Sequence, residues 1–443
     1  MSYRILLALL PFLWAPLLSQ DSTHTFVSEF PDSTLRVSSV IFVGNDLTKD
    51  FIIEREMSLK PGSLLTRDAI AFDIDRIYSL QLFNKVDIQV VPDSTTATLV
   101  VIVSERWYFY PYPILGIRDH LWAHIYYGAG VVHTNFRGRK ELVSVQGALG
   151  YNPYLSVQYT NPVIDPEHNL YFSTRFSYSL VRNQSLFSLP NAPDFDQQFE
   201  DAQVTLGKRF SLFSTATATL EYTRLSVSND LAGETLSPNG SDKYFSLTLL
   251  YVYDTRDLSE YASRGTLARI GVSKYGVDDQ YVDYQRYSLD FRRYIPLFFN
   301  SSFGLRVFGN AVQGGDVPNY GHVYFGYGDR IRGRFWTITE GEDIIGAKSE
   351  LRFPLIGPSY VRIDEIPVEQ FRDIRYAVYA TVFGDAGTVW YRTQPVAMNN
   401  VLSGFGAGLN FLLSYSFVAR TEYAFGGPGF HHGQFILDLG ASL

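Results

Sequence analysis

Cysteine is absent from this 443-residue chain. Without thiols there are no disulfides, thiolate zinc sites, iron–sulfur clusters or thiol catalysis. Positive charge is in deficit too: 37 Lys+Arg against 45 Asp+Glu leave a net −8 and no global field to hold nucleic acid. Past the N-terminal stretch, no segment approaches the roughly 18 uninterrupted apolar residues of a helical membrane span. The G-x-S-x-G nucleophile elbow of serine hydrolases is missing. What is abundant is aromatic: 31 Tyr and 33 Phe bring Phe, Trp and Tyr to 16 %. Those residues favour strands and membrane interfaces.

Residues 1–20 read as a secretory signal, with Arg4 before the apolar run Ile5–Leu18 and small Ser19 for cleavage. Residues 21–34, rich in Ser, Thr and Asp, read as a flexible leader. A compact module is expected over 35–106. Val37–Val43 is a β-rich run closed by the turn signal Gly44-Asn45. Thr48 is placed to cap a helix over Lys49–Met57, and a second helix is expected over Thr66–Gln81. Strands Lys85–Val91 and Ala97–Val103 follow, with the turn at Asp93-Ser94. The predicted order is β-α-α-β-β.

From residue 107 to Leu443 the pattern alternates with period two. In Tyr244–Asp254, Phe245, Leu247, Leu249, Tyr251 and Tyr253 share one face, opposite Ser246, Thr248 and Asp254. Tyr287, Leu289 and Phe291 oppose Arg286, Ser288, Asp290 and Arg292. Phe417, Ala419, Tyr423 and Phe425 oppose Arg420 and Glu422, and the last segment aligns Phe435, Leu437, Leu439, Ala441 and Leu443. One apolar and one polar face per strand suits a transmembrane barrel, with lipid outside and water within. About sixteen such segments are expected from this periodicity. Connector lengths alternate as well: tight at Asn135–Gly138, Ser211 and Ser414, long at Asn183–Phe199, Ser228–Asp242, Gly315–Ile345 and Gly387–Ser403. Pro354–Asp373 is a long connector on the side where turns should be short. The fold class is thus an all-β transmembrane barrel of about sixteen antiparallel strands behind one small α/β module.

Val43-Gly44-Asn45, Lys60-Pro61-Gly62, Leu82-Phe83-Asn84-Lys85-Val86 and a terminal Glu105 resemble a POTRA domain, the periplasmic module of the outer-membrane protein assembly factor (BamA/TamA-like, bacterial surface antigen) superfamily. In the loop Gly315–Ile345, Ile331-Arg332-Gly333-Arg334-Phe335 resembles the superfamily's Arg-Gly-aromatic tip, which folds back into the lumen from the sixth external loop. The resemblance implies that Arg332 pairs with Glu350, in Ser349-Glu350-Leu351-Arg352-Phe353-Pro354, and with Asp385, in Phe383-Gly384-Asp385-Ala386-Gly387. Glu350 shares parity with Lys348 and Arg352, so it should face the lumen; the parity of Asp385 is open. Arg334 departs from the pattern by separating Gly333 from Phe335, which puts the aromatic contact in question. Asp254-Thr255-Arg256-Asp257 with Arg264-Gly265 is similar to the family's turn between the eighth and ninth strands.

The resemblance implies a seam between first and last strands that opens sideways to admit an incoming strand. Pro111 and Pro113 near the first strand each remove a ladder donor, and Gly440 in the last strand removes a packing side chain, so all three are candidate gate positions. The expected function is a barrel assembly or insertion factor in the bacterial outer membrane, receiving substrate at its periplasmic POTRA domain. The alternatives are an export pore like two-partner-secretion transporters, or a passive channel. Expected partners are unfolded outer-membrane proteins or an exported protein, outer-membrane lipids and accessory lipoproteins. No enzymatic role, metal or cofactor is expected: His431-His432 lacks a ligand partner nearby, and Gly404-Phe405-Gly406-Ala407-Gly408 reads as a strand rather than a phosphate loop.

Overall fold

The computed structural model describes residues 35–118, 122–186, 195–259, 261–277, 279–366, 372–394, 400–413, 417–427, 429 and 432–440. The expected signal segment, the leader, His431 and the terminal Leu443 lie outside them.

The N-terminal module runs β1 (Arg36–Val43), α1 (Asp50–Glu54), α2 (Arg67–Tyr78), β2 (Phe83–Asp93) and β3 (Thr96–Glu105). Its sheet order is β1-β3-β2, with β1 parallel to β3 and β2 antiparallel to it. Ile52, Ile53, Ile70, Ile77, Phe83 and Leu99 are fully or almost fully buried between helices and sheet. Each such side chain contributes about 1.5–3 kcal/mol on removal from water. Thr66 caps α2, its hydroxyl accepting from the Ala69 N–H at 3.2 Å. The expected first cap is corrected: α1 is only five residues, and its N-cap is Lys49. Thr48 is buried instead, its hydroxyl 2.9 Å from that of Tyr108 and accepting from Asn135 Nδ2 at 2.8 Å. A tertiary contact with the barrel has taken the hydroxyl that capping would have used.

The barrel strands are β4 (Phe109–Ile117), β5 (Ile125–Phe136), β6 (Glu141–Gly150), β7 (Tyr154–Asp165), β8 (Leu170–Arg182) and β9 (Asp196–Arg209). They continue as β10 (Ser214–Ser226), β11 (Ser241–Asp254), β12 (Gly265–Tyr275), β13 (Tyr284–Pro296) and β14 (Ser302–Gly314). A short hairpin, β15 (Val323–Phe325) with β16 (Thr339–Gly341), stands outside the wall. The wall ends with β17 (Asp343–Arg362), β18 (Asp373–Trp390), β19 (Leu402–Leu413), β20 (Phe417–Gly426) and β21 (His432–Leu439). All sixteen wall strands form one antiparallel sheet in sequence order.

The alternation resolves into an outward apolar face and an inward polar one. On β11, Phe245, Leu247, Leu249, Tyr251 and Tyr253 are 40–49 % exposed, whereas inward Ser246 is buried. Tyr287, Leu289 and Phe291 point outward on β13, and Phe435, Leu437 and Leu439 on β21.

The long connector expected at Pro354–Asp373 is corrected at its start: Pro354–Arg362 is strand, the end of β17. β17 and β18 continue pairing past Pro354, from Pro354↔Tyr379 to Arg362↔Asp373, with register shifts between Pro354 and Ile356 and between Ile356 and Ser359. The shifts fall directly after Pro354 and around Pro358, and these bulges accommodate two residues that lack a ladder donor. The hairpin thus overhangs the wall, and its Arg375 guanidinium lies 4.8 Å from the Tyr78 ring centroid of α2. At this same end the module meets other turns: the Lys49 N–H donates to Gly138 O at 2.9 Å, and Phe72 packs on Phe213 at 6.0 Å.

Candidate functional site: the loop tip in the lumen

Period two decides which acids face inward. On β17, Lys348, Glu350 and Arg352 are buried, as their parity requires. On β18, Phe383 and Asp385 are buried while Val382 is 54 % exposed, which assigns Asp385 to the lumen. Glu422 of β20 is likewise inward and buried.

The segment between β14 and β17 is the sixth of the connectors at the end away from the module, and its tip folds back among these acids. Arg332 Nε and Nη2 donate to the two oxygens of Asp385 at 2.8 and 2.7 Å, a bidentate fork. The Arg332 backbone N–H adds 3.1 Å to the same carboxylate. Nη1 donates to Glu350 at 2.8 Å and to Glu422 at 3.0 Å. The guanidinium carbon lies 3.7 Å from the Phe383 ring centroid. Two further arginines complete the charge balance. Arg352 Nε donates to Glu350 at 2.8 Å, and Arg420 reaches Glu422 at 3.1 Å and Asp438 of β21 at 2.6 Å. A chain of charged hydrogen bonds therefore runs from the loop tip to the last strand.

Ile331 is buried with Phe308, Phe325, Ile344, Val389 and Leu402. Gly333 has φ +86°, and a Cβ there would sit 2.3 Å from Phe425 O. Across from it, a Cβ on Gly404 would meet Arg332 O at 1.9 Å. Gly404 of β19, with Gly426 of β20 whose Cβ would fall 2.3 Å from Gly333 O, thus forms a groove for the loop backbone. Despite the intervening Arg334, Phe335 is buried against Phe383, Ala424 and Ile436, and its N–H donates to Gln434 at 3.0 Å.

A family model described as the Omp85 superfamily domain matches residues 135–432, more than half of the 443 residues. The chain belongs to the Omp85 superfamily. A second model, the POTRA family described as a surface antigen variable number repeat, matches residues 35–106. Among solved structures, BamA from Haemophilus ducreyi lacking POTRA domains 1–3 superposes with TM-score 0.53 at 17 % identity, covering 91 % of this chain and 83 % of that one. CdiB from Escherichia coli superposes with TM-score 0.59 at 11 % identity, covering 91 % and 74 %. Both likenesses are of fold.

In this Omp85 barrel the first and last wall strands are β4 and β21. No ladder joins β4 to β21 among the described residues. Pro111 and Pro113 lie inside β4, opposite Val131 and Ala129 of β5. Being two apart, their missing N–H groups would have aimed at one edge. Gly440 is corrected: it follows β21 rather than belonging to it, at φ +103°. Its N–H donates to Val418 O and its carbonyl accepts from Arg420 Nε, both at 2.7 Å. A cavity of about 480 Å³ lies beside the loop tip, lined by Ile117 and Arg118 at the end of β4, Asp438 and Leu439 of β21, and Arg330 and Arg332.

Two participants escaped the sequence reading. The alternation of β20 places Glu422 inward without pairing it to Arg332; only the barrel's curvature brings β20 to the tip. Glu340 of β16 pins the hairpin, accepting from Ser185 Oγ and the Leu186 N–H, each at 2.6 Å, and lying 2.5 Å from His322. Burial raises the Glu340 pKa, but His322 and Ser185 outweigh it and hold the carboxyl below its usual range. The turn Asp254–Asp257 has a structural role: Asp254 binds Arg256 at 2.9 and 2.8 Å, and Asp257 accepts from Leu258, Ser263 and Arg264 N–H groups.

Proposed function

We propose that the protein inserts β-barrel proteins into the outer membrane, receiving them at a POTRA domain held in the periplasm and passing them through the seam between β4 and β21. The observation that carries this reading is the seam, unpaired among the described residues, beside a loop tip wired to the last strand through Glu422, Arg420 and Asp438. An unpaired edge offers backbone donors and acceptors to an incoming strand. Arg332 would set the pose of the tip, and through it the stiffness of the wall at β20 and β21. Unfolded outer-membrane proteins are the substrates on this reading, with lipids and accessory lipoproteins as the surroundings in which it acts.

The test is folding of an unfolded barrel substrate added to liposomes that contain the mature protein. Acceleration by wild type, at least halved by Arg332→Ala, is expected. Ion conductance without acceleration would replace the insertase reading with that of an export pore or channel.

A further inference from the structure

Positive charge gathers where the module meets the barrel. Glu56, just past α1, is the central carboxylate: Arg209 at the end of β9 donates to it at 2.6 and 2.9 Å, and Arg76 of α2 at 2.7 Å. Arg55 Nε approaches at 3.8 Å. Lys140, in the turn between β5 and β6, lines the same cavity, and its ammonium donates to no acceptor among the described residues. The other acid on the lining, Asp254, is occupied by Arg256 through two hydrogen bonds. Four cations therefore share one carboxylate around a space of about 320 Å³. The Nε atoms of Arg55 and Arg76 are buried without a hydrogen-bond partner among the described residues. Burial, with like charge from Arg55, Arg209 and Arg76, lowers the Lys140 pKa to about 8 despite Glu56. Charge excess and orphaned donors in a confined space are both costly unless an anion answers them.

We propose that this cavity binds a phosphate-type oxyanion, which completes the joint between module and barrel. Guanidinium forks match tetrahedral oxyanions through paired hydrogen bonds, while lysine adds a point charge. An excess of three positive charges over Glu56 favours a dianion over a single carboxylate. The ligand has two chemical sources, a free phosphate ion or the phosphate of a lipid headgroup. This inference is independent of the insertase reading, because it concerns the joint and not the seam.

Lys140→Gln and Arg55→Gln are the informative variants, since neither residue hydrogen-bonds to Glu56; heat-modifiable gel migration verifies that each barrel folds. In the first arm, inorganic phosphate is titrated calorimetrically into the full mature protein in detergent, against chloride at matched ionic strength. In the second, hydrogen exchange of residues 49–57 is compared in nanodiscs with and without phosphatidylglycerol. Saturable phosphate binding, weakened at least about tenfold in both variants as expected for one lost charged hydrogen bond, supports the free ion. Protection by phosphatidylglycerol in wild type and not in the variants supports the headgroup. No response in either arm, or a response that Lys140→Gln leaves unchanged, overturns the proposal.

Discussion

Arg332 is a buried cation answered by three carboxylates; its removal would leave Asp385 without its hydrogen-bonding cation, while Glu350 and Glu422 would each lose one charged hydrogen bond and keep Arg352 and Arg420. Losing one partner of a buried pair costs about 3–5 kcal/mol, chiefly through the charges left behind. Arg332→Ala should therefore release the tip, and trypsin applied outside proteoliposomes should cut at Arg330 or Arg334 at least about tenfold faster than in wild type. Gly404→Ala tests the same pose without touching charge. Its Cβ would fall 1.9 Å from Arg332 O, so the tip must lift or the strand must shift. Similar acceleration of trypsin cleavage is expected, whereas cleavage at the wild-type rate would show that the groove does not seat the tip.

At the scale of elements, the module and barrel are joined by charge as much as by apolar packing. Burial raises the Glu56 pKa, but the hydrogen bond and charge of Arg209, with Arg76 and Lys140, overcome it and lower it to about 2. A carboxyl lowered on docking contributes above its free pKa, near 4.5, and loses that contribution as pH falls toward about 2. Hydrogen exchange of residues 49–57 should thus be pH-independent, after correction for intrinsic rate, from about pH 7, below the Lys140 titration, to about pH 5, and should rise steeply below about pH 4. Glu56→Gln should show the raised exchange at neutral pH already. The overhang of β17 and β18 also reaches the module, through Arg375 and Tyr78, so loss of Glu56 leaves that contact in place.

For the whole molecule, a sixteen-stranded wall in which no ladder joins β4 to β21 among the described residues is mechanically weakest there. The absence of native cysteine makes the seam directly testable, because cysteine pairs placed along β4 and β21 meet no competing thiol. Oxidation of such pairs should abolish substrate folding in liposomes, and reductant should restore it. Full activity in the oxidised state would mean that the seam need not open.

The strand pattern was legible because its cause is local: alternate side chains on a strand point to opposite faces, so period two alone placed Phe245, Leu247 and Leu249 outward and Glu350 inward. The module's order was legible for the same reason, through the helical spacing of Ile70, Ile74 and Ile77. Where the chain folds back on itself, local pattern was not enough. Thr48 looked like a cap and became a buried contact with Tyr108 and Asn135; Pro354 looked like a break and was absorbed by a bulge. The pairing of Glu422 with Arg332, 90 residues apart, and the gathering of Arg55, Arg76, Lys140 and Arg209 around Glu56 depend on strand order and curvature. Periodicity is a property of neighbours along the chain, whereas charge compensation in a lumen or a joint exists only once distant strands have met.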